Sequence, residues 1–441
     1  MTGSTDCKVG YIGVDVLNNA TICNEASGLL RAGVPLEVVS VYRHERPTYY
    51  QDENLDELRK RVTHIFPASR AEMLKAAVAS PFVFGFRFWS MLGKAAFGPA
   101  EGLRQRLTLI YQILPALVLA MRWRRLPIGH IHAHWAHTAT SVAMHAAELL
   151  GVGFSFTGHA NDLFVHRVAL LAKVQRARFI VCISEYHKQL YIGLGADPDR
   201  LKVVYCGIDT DRFVIPSQKE TAPRPRIVGV GRLVEKKGFH DLISACAILL
   251  QKGVQFECLI AGSGPERADL EAKVSAMNLE GIVRITGETV LQENLPGLLG
   301  SASVFALPCV RDRDGDMDGL PQVLIEALLC GVPCVSTKLV GIPDIIRNGQ
   351  TGILVPPGDV DELAGALSTL IADPELSAKL GCEGREWALE HFSLNEAVSR
   401  LSRLFKIAVS ERGSAPPAID LPSSIVEANR SRGKARSGVA V

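Results

Sequence analysis

Net charge is almost absent from this sequence: 48 Lys and Arg face 46 Asp and Glu, a formal +2 over 441 residues. The charge balance as a whole therefore gives no basis for nucleic-acid binding. Also missing is any uninterrupted apolar run of about 18 residues, the length of a membrane span. The opening MTGSTDCKVGYIGVDVLNN has no basic stretch followed by a long apolar core, which argues against a secretory leader. No CxxC pair occurs among the ten cysteines (Cys7, Cys23, Cys182, Cys206, Cys246, Cys258, Cys309, Cys330, Cys334, Cys382). Most of them lie in apolar stretches, so buried, reduced thiols of a cytosolic protein are expected. What remains is 47% hydrophobic and 21% charged. Such a chain is too apolar to be disordered throughout, and it is long enough for two or three domains.

The second half is a regular alternation. Arg226–Gly231, Phe256–Ala261, Ile282–Thr286, Val304–Leu307, Pro333–Ser336 and Ile353–Val355 read as strands. Helical periodicity fills Phe239–Lys252, Glu266–Met277, Leu291–Gly300, Gln322–Cys330 and Val360–Ala372. Strands that are apolar throughout, alternating with helices, indicate a parallel sheet covered on both faces. In the first half, Val34–Tyr42, His130–His134, Gly153–Thr157 and Phe179–Ile183 read as strands and Ala139–Leu150 as a helix. A long helical insertion is expected over residues 57–126. The simplest architecture is two α/β domains, 1–215 and 216–390, joined through a proline-punctuated stretch (Pro216, Pro223, Pro225). From Gly413 the composition turns to Ser, Pro, Arg and Gly, and a disordered tail is expected over 413–441.

The most informative stretch is Arg311-Asp-Arg-Asp-Gly-Asp-Met-Asp-Gly-Leu-Pro-Gln-Val-Leu-Ile-Glu326. Asp314, Asp316, Asp318 and Gly319 imitate the start of a calcium loop. The twelfth position of that loop needs a bidentate Glu and holds Ile325, and a strand rather than a helix precedes it. A solvated acidic loop is the bland reading. A third reading uses the whole segment: Pro321 stands where a helix opens, and Gly319 lets backbone N–H groups approach an anion. Asp318 in the loop and Glu326 in the helix can then accept hydrogen bonds from two sets of hydroxyls on one ligand, a pattern that suits a sugar nucleotide.

With Glu326-Ala-Leu-Leu-Cys-Gly-Val-Pro-Cys-Val-Ser-Thr337 following, this segment resembles the retaining glycosyltransferases of family four. Their signature is a Glu, seven residues and a second Glu within E-G-x-P-x-x-x-x-E-A; Asp318 replaces the first Glu here, as in exopolysaccharide-type members. Gly229-Val-Gly-Arg-Leu-Val-Glu-Lys-Lys-Gly238 resembles the family's donor-diphosphate element. Two cations at a helix opening, Arg232 and Lys237, would neutralise charge growing on a departing diphosphate; two surface cations are the lesser reading of the stretch alone. Ala261-Gly-Ser-Gly-Pro265 is similar to the family's next strand-end turn. The resemblance assigns Gly262, Gly264, Gly287, Gly319, Leu320, Pro321 and Glu326 to donor binding.

His130-Ile-His132-Ala-His134-Trp-Ala-His137 puts three imidazoles on one strand face. Zinc is one reading, but no Cys or carboxylate nearby in sequence completes a site. Strand-end packing is the second reading, and a place lining the cleft, as in the family's H-A-H-W stretch, is the third. Phe156-Thr-Gly-His-Ala-Asn-Asp-Leu-Phe164 resembles the F-T-x-H-A-x-D-x-F element of exopolysaccharide glycosyltransferases. That likeness places His159 near the donor sugar and phosphate, with Asn161 and Asp162 as acceptor or loop-organising groups. Asn18-Asn-Ala-Thr-Ile-Cys-Asn-Glu25 keeps Thr21, Asn24 and Glu25 of the family's S-E-T-F-I…N-E stretch. Asn24, Glu25 and His134 are the further acceptor-side candidates.

Charge is locally uneven. Between Arg59 and Arg125 twelve basic residues face Glu72 and Glu101, a net +10, interleaved with Phe82, Phe84, Phe86, Phe88, Trp89 and Met91. Helical packing with solvated arginines is one reading and peripheral docking on anionic lipid the other; no nucleic-acid motif accompanies the charge.

The resemblance implies a GT-B architecture, two Rossmann-like parallel-sheet domains facing a cleft, with a helix over about 391–412 crossing back to the first domain. It implies transfer of a sugar from a nucleotide-sugar, a co-substrate and not a cofactor, to a glycan or polyprenyl-linked glycan with retention of configuration and no metal. The catalytic set would be His159, Asp318, Arg232 and Lys237. Cell-surface polysaccharide synthesis on the cytoplasmic side, with peripheral contact to the inner face of the membrane, is the expected setting. A non-catalytic sugar-nucleotide-binding subunit of an assembly complex is the alternative, and a metal-dependent GT-A enzyme a more distant one.

Overall fold

The computed structural model describes residues 7–43, 55–215 and 224–411. The expected tail (413–441) and the join's Pro216 and Pro223 lie outside them. The described chain forms two compact units: the part up to Val204 together with the part from Ala397 onward, and Tyr205–Glu396.

The first unit is built on seven strands: β1 (Lys8–Gly13), β2 (Leu36–Tyr42), β3 (Thr63–Phe66), β4 (Ile128–His134), β5 (Gly153–Gly158), β6 (Phe179–Cys182) and β7 (Leu201–Val203), in the order β3-β2-β1-β4-β5-β6-β7. All of these pairs are parallel. The second unit has β8 (Arg226–Val230), β9 (Glu257–Ala261), β10 (Val283–Ile285), β11 (Val304–Leu307), β12 (Cys334–Thr337) and β13 (Gly352–Val355), ordered β10-β9-β8-β11-β12-β13 and again parallel. Strand order reverses direction between β1 and β4 in one sheet and between β8 and β11 in the other. In doubly wound sheets the crevice at the carboxyl ends of such strands is where ligands bind.

Burial explains the strand patterns. Every residue of β4 and of β11 is buried, as expected for strands covered on both faces. β1 escapes the sequence pattern because two of its six residues are glycine. At Gly10 the reason is contact: a Cβ there would lie 2.5 Å from the Trp123 ring. The stretch 57–126 is not helical throughout. Thr63–Phe66 forms edge strand β3 against β2, four residues too short to show a period. The helices Arg70–Phe84, Phe86–Phe97 and Leu103–Tyr111 follow, and the largely buried Ile113–Trp123 helix leads back into β4.

The last helix, Leu394–Ser410, contributes to the first unit. The buried Phe405 ring lies 5.1 Å from that of His132, 6.3 Å from that of His130 and 6.4 Å from that of Phe179. The Arg178 guanidinium donates to the Glu411 carbonyl at 2.9 Å, closing the helix end onto β6. All ten cysteines are free thiols; eight are buried, Cys7 is half-buried and Cys382 exposed.

Candidate active site

In the second unit, β8 runs into a loop whose 3-10 turn, Glu235–Lys237, carries two lysines; Gly238 then opens the helix Phe239–Gln251. Gly238 is in the left-handed region (φ 70°), and a Cβ there would overlap the Pro308 carbonyl. The loop after β11 brings Asp318 against both lysines: Lys237 Nζ lies 2.5 Å from one carboxylate oxygen, and Lys236 Nζ 3.3 Å from the other. Lys236 also pairs with Asp316 at 2.9 Å. Burial raises the Asp318 pKa, but the two ammonium groups outweigh it and hold the carboxyl below its ordinary value. Burial likewise opposes the charge of Lys237, and Asp318 overcomes that to raise its pKa. Lys236, buried and central to this arrangement, was not singled out by the sequence; its signal was the Lys-Lys pair before Gly238.

Asp312 accepts from the Asp314 and Asp316 backbone N–H groups at 3.0 and 2.8 Å, an Asx-type turn around Gly315, and Asp316 faces Lys236. Arg232 is exposed at the end of β8. Gly319 accepts from the Gly341 N–H, Leu320 is buried, and Pro321 caps the helix Gln322–Leu329. Glu326 lies on that helix, buried. Burial pushes its pKa up to about 7, only partly offset by Arg212 and Lys237. Gly262 and Gly264 sit where the β9 loop presses on the β8 loop: a Cβ at Gly262 would lie 1.8 Å from the Gly231 carbonyl, and one at Gly264 2.3 Å from that of Leu233. Gly287, just past β10, makes room for the Arg267 guanidinium.

In the first unit the three strand histidines part company. His130 and His132 are buried and share the Ser155 hydroxyl at 2.8 Å each, and His132 also reaches Thr157 at 3.1 Å. With Phe405 above them, they belong to the core. Burial drives the His130 pKa down to about 3, and that of His132 well below its ordinary value. His134, at the carboxyl end of β4, instead joins a polar cluster. Its Nε2 lies 3.0 Å from Glu25 Oε1 and 2.7 Å from the Tyr11 hydroxyl, which donates to the same carboxylate at 2.8 Å. Its Nδ1 faces His159 Nε2 at 3.3 Å.

Proton counting orders this cluster. The single Tyr11 proton goes to Glu25, so His134 Nε2 must carry its proton toward Glu25 as well. His134 Nδ1 and His159 Nε2 then share one proton, one nitrogen donating and the other accepting. Burial pushes the His159 pKa down to about 3, so its ring is neutral. Burial also opposes the charge of Glu25, but His134 and Tyr11 outweigh it and keep its pKa below the ordinary value. The carboxylate that sequence proximity did not supply to the histidines comes from the helix Ala20–Arg31. Among the described residues, Glu25, His132 and His134 form the one group with ligand atoms close enough to share a metal ion. Both nitrogens of His132 and the facing atoms of Glu25 and His134 are engaged in hydrogen bonds.

Asp162 is occupied by backbone: it accepts from the N–H groups of Ala136 (2.5 Å), His159 (3.1 Å) and Ala160 (2.9 Å), tying the loops after β4 and β5 together. Buried Lys173, not indicated by the sequence, donates to the Ala136, His137 and Val168 carbonyls at 2.6–2.8 Å, and burial lowers its pKa to about 7. Asn161 opens the short helix Asn161–Phe164, and Asn24 is half-buried on Ala20–Arg31. That helix starts with Asn19 accepting from the Ile22 N–H at 3.1 Å, a capping role for the altered Asn-Asn pair.

Two doubly wound sheets with charged groups at their switch points define the GT-B class of glycosyltransferase fold. A solved structure from Anabaena, Alr3699/HepE in complex with UDP and glucose, has that same fold: TM-score 0.63 over 91% of this chain and all of that one, at 17% identity. Residues 210–387 match the family described as Glycosyl transferases group 1, and residues 19–212 that described as Glycosyltransferase Family 4. The chain is similar to the GDP-mannose-dependent alpha-(1-6)-phosphatidylinositol monomannoside mannosyltransferase of Mycolicibacterium smegmatis, 31% identical over 66% of this chain and 81% of that one. It is also similar to the amylovoran biosynthesis glycosyltransferase AmsK of Erwinia amylovora, 36% identical over 43% of this chain; that match spans 46% of the relative's length, under half. The chain belongs to the family-four glycosyltransferases.

Proposed function

We propose that this protein moves a sugar from a nucleotide-sugar donor to a glycan or lipid-linked glycan acceptor with retention of configuration, in the synthesis of an exopolysaccharide or other cell-surface polysaccharide. The observation that carries the reading is the Lys236–Asp318–Lys237 arrangement at the β8/β11 switch point, one buried carboxylate held between a buried and a half-buried cation. A donor diphosphate entering there competes with Asp318 for the lysines. Lys237, Lys236 and the exposed Arg232 then neutralise the phosphates, and Asp318 turns to the sugar hydroxyls. Glu326, one helix turn beyond Gln322, takes the ribose hydroxyls. In the transfer the anomeric carbon–oxygen bond to the diphosphate breaks while the acceptor hydroxyl adds on the same face. The acceptor's proton passes to the departing phosphate oxygen, and the cations meet the charge that grows there. His159 hydrogen-bonds a hydroxyl of the bound sugar or acceptor. No step requires a metal ion.

The test is thermal stabilisation by a panel of nucleoside diphosphates and nucleotide-sugars, with and without chelator. A ligand at 100 times its Kd stabilises the folded state by about 2.7 kcal/mol. A chelator-insensitive shift with one nucleotide class, lost in Arg232→Ala and Glu326→Ala, is expected. Absence of any shift in folded protein overturns the donor site. Transfer assayed in Asp318→Ala and Asp318→Glu separates an enzyme from a binding subunit, which turns over in no form.

A further inference from the structure

We infer that the three outer helices of the first unit, Arg70–Phe84, Phe86–Phe97 and Leu103–Tyr111, form one face that seats on an anionic lipid bilayer. Each helix turns a row of large apolar side chains to solvent. Leu74, Val78 and Phe82 recur every four residues on the first, with Phe82 86% exposed. Phe86 (84%), Trp89 (59%) and Phe97 (90%) share one side of the second, opposite its buried Met91 and Ala95. Leu103, Leu107, Ile110 and Tyr111 share one side of the third, opposite buried Leu109. Helical spacing at 100° per residue makes each row a stripe, with the inward face supplied by the buried residues. Solvent does not reward such a surface: contiguous apolar area of this kind marks an interaction site.

Charge decides the occupant. Exposed Arg70, Lys75, Arg87, Lys94 and Arg104 lie on the same three elements. The two acidic residues of the region are engaged elsewhere: Glu72 pairs with Arg122, and Glu101 accepts from the backbone of Ala169 and Leu170. Apolar side chains flanked by this excess of cations, of which Lys94 is paired with Glu148, fit an interface of acyl chains beneath anionic headgroups. A second copy would set this positive face against itself. The chain's own residues 412–441 are no better, with Arg412, Arg430, Arg432, Lys434 and Arg436 against Asp420 and Glu427. No helix among the described residues is long and apolar enough to cross a membrane, so the contact is peripheral.

Flotation of the full chain with vesicles tests this. The expected result is at least tenfold stronger partition to phosphatidylcholine vesicles containing 30 mol% phosphatidylglycerol (about that fraction is enough to set a surface potential) than to phosphatidylcholine alone, reduced by salt. Phe82→Ser/Phe86→Ser/Phe97→Ser should abolish partition, and Arg70→Glu/Lys75→Glu/Arg104→Glu should remove the preference for anionic lipid. Both variants should keep wild-type circular dichroism and, independently of whether transfer activity is found, any nucleotide-induced thermal shift. Brominated lipid should quench wild-type tryptophan fluorescence, and Trp89→Leu should lose that quenching. No partition to either vesicle overturns the proposal. So does partition that the triple serine variant leaves unchanged, or a lipid-free dimer that the same variant converts to monomer.

Discussion

At the residue scale, buried charge governs both candidate sites. The folded-state pKa of Glu326 stands at about 7 against an ordinary 4.5, so the folded state binds this proton more tightly than the unfolded chain does. The associated stability is fully present below about pH 4.5 and is lost as pH rises through 7. Glu326→Gln has no such loss. Relative to wild type the variant should gain on the order of 3 kcal/mol between pH 4.5 and pH 8, seen as a crossing of denaturation midpoints measured at the two pH values. Asp318 works in the other direction. Asp318→Asn leaves Lys237 without its counter-charge and Lys236 with Asp316 alone, and should cost about 3 kcal/mol. A nucleoside diphosphate should restore more of that loss than it adds to the wild type, which differential scanning with and without nucleotide measures. Asp318 and Glu326 were legible in the sequence because a carboxylate pair eight apart around a helix opening has a chemical meaning of its own. Lys236 and Tyr11 were not, because their partners come from other elements: Lys236 is fixed by Asp316 and Asp318, and Tyr11 by Glu25 and His134.

At the scale of elements, backbone approach between loops shapes the donor side. Gly262 (φ 155°) lets the β9 loop close on the Gly231 carbonyl, while Gly253 (φ 76°) has open space around its Cα. Both conformations disfavour a side chain, but only the first also forces two loops apart. Gly253→Ala should cost about 1 kcal/mol, the ordinary left-handed penalty, and leave nucleotide binding intact. Gly262→Ala should cost several times as much in thermal stability and weaken nucleotide binding as well, because Leu233 and Lys237 lie on the loop it displaces. The regular strands and helices of the second unit were readable because burial on both faces makes strands uniformly apolar and helices periodic. β1, β3 and β7 were not: two glycines interrupt the first, and the others are four and three residues long. The three-histidine strand was readable as a strand but not as two environments. Only the tertiary structure sets Phe405 over His132 and Glu25 beside His134.

On the whole-molecule scale, the first unit takes its closing element from the far end of the chain. Phe405→Ala removes a buried ring from the face that covers His130, His132 and Phe179 and should cost about 3–5 kcal/mol. Hydrogen exchange should show the loss in β4–β6 and not in β8–β13. The same feature bears on how the protein is made. The seven strands of the first unit are translated about 190 residues before Ala397. At roughly 5–20 residues per second, the side of the sheet beneath Phe405 waits on the order of 10–40 s for its cover. The first unit is thus begun first and finished last. A truncated product ending before Leu394 would keep every strand and still present an unsealed apolar face, a ready target for chaperones and for degradation.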